Sequence, residues 1–360
     1  MLNIERIKCA ILLVLSGIMF SCNPAQKEKG VRIFVDKDFK RHEHLHGEVI
    51  ALQRAIKPSD ICVIPDKDLL LLVDMNGEYF MQAYQLSTMK YITSFAKKGN
   101  DPGQLLSCQL QYDDRTNILY ITDFYNKKIY SFGVDSITSK NENITPISSV
   151  TIQTKVVDYP LVISKNKIVD FCDNFKSPKI GVFSFYNGKG DFLQTKGSFP
   201  LIQKDYDQTE LNQVFTGKTS LSSNRDKILY NYYFTDFIDI YDTTGTLIKR
   251  AHGPDGFDPD LKSVHTMGAV STGPTKKAVH GYTGKVRMKD NSLYVLYDGK
   301  PVSIEDYHTN KLFNFNDALV PQTAYELDAG IFGFDIDWSK NIIYGLSHKM
   351  GNSIIKYKIQ

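Results

Sequence analysis

Apolar and polar positions along this chain repeat one figure. Between Phe95 and Phe132 a turn, Gly99-Asn100-Asp101-Pro102-Gly103, leads to a polar reversal at Asp113–Asn117. Two alternating segments follow, Ile118-Leu119-Tyr120-Ile121-Thr122-Asp123 and Lys128-Ile129-Tyr130-Ser131-Phe132. Short alternating runs bounded by Gly, Pro, Asn and Asp read as strands joined by turns. Six such strand pairs lie along the chain, at Leu69–Leu86, Ile118–Val134, Ile168–Phe185, Ile228–Tyr241, Leu293–Phe315 and Ile342–Ile359. Aligned on Leu71, Tyr120, Val169, Tyr230, Tyr294 and Tyr344, they stand 49, 49, 61, 64 and 50 residues apart. A period near 50 with insertions is what a propeller gives, one four-stranded blade per repeat. The pattern therefore predicts an all-β, six-bladed β-propeller.

A strand before each reversal supplies the innermost position: Ile61–Ile64, Cys108–Tyr112, Leu161–Ser164, Thr219–Ser222, Lys285–Met288 and Ile331–Asp335. Outer strands are expected at Tyr91–Phe95, Ile147–Ile152, Phe192–Thr195, Leu247–Arg250 and Lys311–Phe315. The sixth repeat ends without one. An open blade exposes an unpaired edge, so Glu48–Gln53 is expected to supply the missing strand and close the ring.

Composition agrees with strands: 21 Tyr and 21 Phe with one Trp, ring side chains that fit a pleated, half-buried surface. A formal charge of +3 without long basic runs leaves no footprint for nucleic acid. Residues 1–21 read as a signal: Arg6 and Lys8 precede the apolar run Cys9–Phe20, which is too short to span a bilayer. Ser21-Cys22 resembles the cleavage box of bacterial lipoproteins, which implies a lipid anchor at Cys22 and a membrane partner; a plain signal peptide is the alternative. Residues 22–44 are expected to be tether and lead-in, and 45–360 the propeller. Asn23 carries no inner-membrane retention signal under the sorting rule of such lipoproteins, which points to the outer membrane. Cys62, Cys108 and Cys172 remain in the folded part, an odd number that implies no complete disulfide framework and suits buried thiols.

The turn Gly99–Leu105 with Leu119–Asp123 and Lys128–Phe132 resembles the repeat of NHL-type propellers. With the signal and six repeats, the chain resembles the TolB-like six-bladed propeller lipoproteins of Bacteroidetes over roughly residues 45–360. His252-Gly253-Pro254-Asp255-Gly256-Phe257 is similar to the Gly-Pro-Gly turn of that family. The stretch from Tyr325-Glu326-Leu327-Asp328 to Ile359 is similar to its last blade. The resemblance implies a fold and carries little chemistry.

Candidate chemistry is sparse. His42, His44 and His46, if extended, share one face about 7 Å apart per step, so two of them could share a metal but three could not reach one ion. Against this stands a solvated lead-in. Gluconolactonase-like and strictosidine-synthase-like propellers hold an axial metal through Glu, Asn and Asp of inner strands. The inner strands here carry Cys, Gln, Leu, Ser, Arg287 and Asp335, with no convergent acids. Amidating lyases of the NHL type need a His/Tyr/metal set, and His252, His265, His280 and His348 are scattered. Asp74, Asp123 and Asp236 each follow a second strand, where Asp also serves a turn. Asn231-Tyr232-Tyr233-Phe234 suits a stacking platform or a packed core. There is no phosphate loop, nucleophile elbow or zinc Cys pair.

The sequence thus favours a non-enzymatic envelope lipoprotein that binds a glycan, peptide or protein, without cofactor or metal. A propeller enzyme of metal-dependent lactonase, hydrolase or lyase type is the alternative. The expected ligand face is the one built by the connections between blades, with the long segments 196–217 and 252–282. Tyr232, Tyr233, His252, Asp236 and Asp123 are its candidate residues.

Overall fold

The computed structural model describes Glu28 and residues 30–54, 56–139, 144–154, 157–171, 181–266, 269–303, 308–350 and 353–359. Cys22 and Cys172 lie outside the described residues. Six antiparallel blades follow one another, built from residues 58–97, 109–151, 161–196, 217–252, 282–331 and 333–358. In the last, Glu48–Ala51 pairs antiparallel with the chain's final strand, Ser353–Lys358, so the ring is closed by the expected segment. The six positions aligned in the sequence all fall in second strands, opposite Cys62, Gln111, Leu161, Thr219, Arg287 and Asp335 of the innermost strands.

Why those second strands are so apolar follows from stacking. A blade has a neighbour on each face, so both sets of alternate side chains are buried. In blade 1, Leu69, Leu71 and Val73 pack toward blade 2, while Leu70 and Leu72 pack toward blade 6. Six apolar clusters result, one at each of the six blade interfaces.

Two findings differ from the sequence reading. Lys311–Phe315 is not the outer strand of blade 5. It belongs to the third strand, Thr309–Phe315, and Pro321–Ile331 forms the outer one. Tyr325–Asp328 are consequently in blade 5 and not in the last blade. The lead-in is also part of the fold: Val31–Ile33 adds to blade 4 parallel to Leu247–His252, and Arg41–Leu45 adds to blade 5 parallel to Pro321–Ile331. Each covers an outer edge that would otherwise be unpaired.

Candidate functional site

The innermost strand of every blade turns one backbone edge toward the axis, and a buried peptide group there needs a partner. Polar side chains of other blades supply it. Asp335 accepts from Val63 N at 2.8 Å, and Gln111 bonds both Val162 N and Val162 O at 2.8 Å. Ser220 Oγ donates to Val286 O at 2.9 Å, and Arg287 to Phe334 O and Ile61 O. Arg225, itself buried, donates to Val162 O and Tyr112 O and pairs with Asp113. Lys285 reaches across the axis from blade 5, with Nζ 2.5 Å from Asp60 of blade 1 and 2.9 Å from Leu110 O of blade 2.

These pairs set the electrostatics of the axis. Burial pushes the Asp60 carboxyl up, but the charge and hydrogen bond of Lys285, helped by Arg287, hold it below its ordinary value. Burial dominates at Asp335, which is raised despite Arg287. The two cysteines near this region, Cys62 and Cys108, are free thiols whose pKa burial drives up. They are poor nucleophiles.

On the side of the short polar reversals the axis opens into a cavity of about 440 Å3. Its rim carries Tyr112, Asn117, Ser223, Asn224, Lys289 and Trp338, and its floor Arg225, Arg287 and Asp335. Trp338 is half-buried, edge-on to Tyr294, and is the only Trp of the chain. The mouth thus holds an indole, a phenol, amides and hydroxyls together with the charged Asp66, Lys67, Asp114 and Lys289, with no imidazole among its lining. Among the described residues no group of three or more His, Cys, Asp or Glu is placed to hold a metal.

At the opposite end of the axis Lys218 places its ammonium 3.1 Å from the centroid of the Tyr159 ring. Burial lowers its pKa to about 8, with Asp158 and Asp60 opposing the fall. The unfolded chain therefore holds more protons between about 8 and the ordinary 10.5, and stability rises with pH across that window. Lys218→Met is expected to remove this slope and to raise stability at pH 7 by about 1–3 kcal/mol. Urea unfolding at pH 7 and pH 10 checks it, and an unchanged slope rejects it.

The residues singled out in the sequence are not gathered in one place. Asp123 and Asp236 are fully buried and act as clamps between a blade's middle turn and a connection, the incoming one for Asp123 and the outgoing one for Asp236. Asp123 accepts from Leu106 N and Ser107 Oγ at 2.9 Å, and Asp236 from Asp255 N and Gly256 N at 2.9 and 2.7 Å. Asp74 and Asp170 do the same in blades 1 and 3. The Gly253 turn is held onto this clamp. Gly253 has φ +151°, and a Cβ there would meet Phe34 O at 2.2 Å, so only glycine fits.

Tyr232 has no exposed surface. It lies between blades 3 and 4 and donates to Asp239 Oδ2 at 2.6 Å, so it is a core residue and no platform. Tyr233 is half-buried, and burial together with the charges of Tyr159 and Asp158 raises its phenol. His252 stacks on Phe237 at 3.8 Å and pairs with Asp236 at 2.8 Å. His44, on the strand added to blade 5, and His46, just after it, face Glu326 and Asp328 at 3.9 and 3.5 Å. His280 lies 3.6 Å from Asp298, His348 stacks on Phe332, and His265 belongs to the strand Leu261–Thr266. That strand and Ala269–Pro274 form a hairpin within the 252–282 segment, and the 196–217 segment contributes the helix Gln208–Val214, whose Gln213 accepts from Thr272 N. Sequence reasoning missed Trp338 and Tyr112. Their signal was a place beside a reversal, on the side opposite the ligand face expected from the connections between blades.

The family model described as TolB-like 6-blade propeller-like matches residues 38–340. No curated protein matches this chain. Among solved structures, a Bacteroides fragilis protein described as exported superposes with a TM-score of 0.60 at 11% identity, covering 91% of this chain and 99% of its own. A member of the DUF4221 family from Bacteroides vulgatus superposes with a TM-score of 0.54 at 8% identity, covering 87% of this chain and 98% of its own. At such identities the likeness is one of fold.

Proposed function

Because this chain belongs to the TolB-like six-blade propeller-like family, we propose that it is a non-catalytic binding propeller of the cell envelope, anchored by lipid at Cys22, that takes its ligand at the reversal-side mouth of the axis. The observation that carries this reading is the make-up of that mouth. Trp338 and Tyr112 stand beside Asn117, Asn224 and Ser223, with Asp66, Lys67, Asp114 and Lys289 around them, while Arg225, Arg287 and Asp335 below are engaged with strand edges or with one another. Aromatic faces with amides and hydroxyls suit stacking and hydrogen bonding to a glycan or peptide. Hydrolysis would need an activated nucleophile or a metal. Export of the Bacteroides fragilis relative, together with the apolar segment ending at Ser21-Cys22, supports an extracytoplasmic address, and Asn23 favours the outer membrane.

The single indole makes the test direct. Envelope glycans and peptides titrated against the full chain are expected to shift Trp emission. For a ligand so found, Trp338→Phe and Tyr112→Ala are expected to weaken binding about tenfold or more, followed by calorimetry where the indole is gone. Tyr233→Ala and His252→Ala leave it unchanged. Binding that ignores Trp338 and Tyr112 but fails in Tyr233→Ala moves the site to the other end of the axis.

A further inference from the structure

Eleven large apolar side chains are well exposed among the described residues. Five of them share one rim of the ring: Ile33 at 58%, Phe192 at 45%, Leu193 at 54%, Leu201 at 59% and Ile248 at 45% exposure. Phe192 and Leu193 lie on the outer strand of blade 3, and Ile248 on that of blade 4. Ile33 is on the strand that pairs with the latter. Leu201 follows blade 3, and its N–H donates to Glu28 Oε2 at 3.2 Å. Single exposed apolar residues are ordinary, but five gathered on or beside two outer strands are a concentration of the kind that marks a surface covered by something.

What covers it follows from where the chain leaves the propeller. Glu28 is fixed at this rim by an ion pair with buried Arg250 at 2.6 Å. Five residues lie between it and Cys22, a length of chain that reaches about 20 Å at full extension. A lipid on Cys22 therefore brings the bilayer surface to the rim of blades 3 and 4 before any other part of the ring. Lys196 and Lys249 are exposed on the same two outer strands and suit anionic headgroups.

We propose that this rim rests on the membrane surface, its apolar side chains in the boundary between headgroups and acyl chains and its lysines on anionic headgroups. The proposal rests on the lipid anchor at Cys22. With the rim downward the axis runs along the membrane plane, and both mouths of the axis stay open to the sides.

The test uses added indoles as depth reporters. Full-length Leu193→Trp, Leu201→Trp and Val49→Trp are each mixed with vesicles of phosphatidylethanolamine and phosphatidylglycerol carrying brominated acyl chains. Val49 is 50% exposed in blade 6, across the ring from blade 3. Emission added at 193 and 201 is expected to be mostly quenched, and that at 49 to match the unquenched Trp338 of the parent. Detergent-phase partitioning of the same preparations, with Cys22→Ala as control, reports the anchor separately. Partitioning without selective quenching overturns the rim and leaves the anchor. Selective quenching at 193 and 201 that persists when Cys22→Ala is added to those variants upholds the rim and removes the anchor as its cause. Absence of both partitioning and vesicle binding overturns both.

Discussion

Arg250→Ala is expected to cost about 3–5 kcal/mol of stability, because it leaves a buried carboxylate without its charge partner. Arg250 is 1% exposed at its side chain and Asp239 0%, and the two are joined by Nε and Nη2 at 2.7 and 2.6 Å. Burial alone would lower the pKa of the guanidinium, and the charge and hydrogen bonds of Asp239 more than reverse this. Tyr232 and Tyr241 both donate to Asp239 Oδ2, at 2.6 and 2.7 Å, so neither can replace a positive charge. Glu28 accepts from Nη1 at 2.6 Å but is 21% exposed, so Glu28→Ala is expected to cost only about 1 kcal/mol. Urea midpoints of the two variants should separate clearly. Equal midpoints would show that the network between blades 3 and 4 contributes little.

Asp60→Ala is expected to cost about 3 kcal/mol by stranding the Lys285 ammonium on the axis. The pair is 18% and 11% exposed. Adding Lys285→Met to Asp60→Ala is expected to restore most of the loss, a non-additivity that a double-mutant cycle measures. The pH dependence has a definite sign. Asp60 is held below its ordinary 3.8 in the folded chain, so its contribution is present above that value and is lost as pH falls through the folded pKa. Acid unfolding of Asp60→Ala should therefore show a shallower slope below about pH 4. An identical slope in parent and variant would mean that the axial pair is not a source of stability.

Much of the fold was legible because a propeller writes its middle strands strongly. Leu69–Asp74 and Ser292–Tyr297 are buried on both faces, and a strand covered on both sides shows an unbroken apolar run whatever the rest of the blade does. The closing strand was legible for a related reason. Val49 and Ile50 precede the first blade, and a last blade lacking an outer strand left only that place for them. By contrast, Val31–Ile33 and Arg41–Leu45 were read as lead-in. An edge strand with a single neighbour tolerates the polar run Arg41-His42-Glu43-His44, so no alternation marks it. The outer strand of blade 5 did leave a signal, since Tyr325 and Leu327 alternate with Glu326 and Asp328. That signal was assigned one blade too late.

The candidate site divides along the same line. That Asp123 and Asp236 would serve turns was an open reading of local spacing, and bonds from Asn126 N to Asp123, three residues on, and from Asp255 N to Asp236, 19 residues on, decided for the clamp. Tyr232 was undecidable from its neighbours, since an aromatic at a strand end serves a core or a platform equally well. The covering of blade 4 by blade 3 buried it. The axial contacts lay wholly outside local reach. Asp60 meets Lys285 across 225 residues of chain, and Val63 meets Asp335 across 272. The sequence by itself determined six sandwiched strand pairs, because burial on both faces must be encoded residue by residue. Only closure of the ring decided which polar side chains reach the axis, because each strand edge is completed by a blade that the local sequence does not contain.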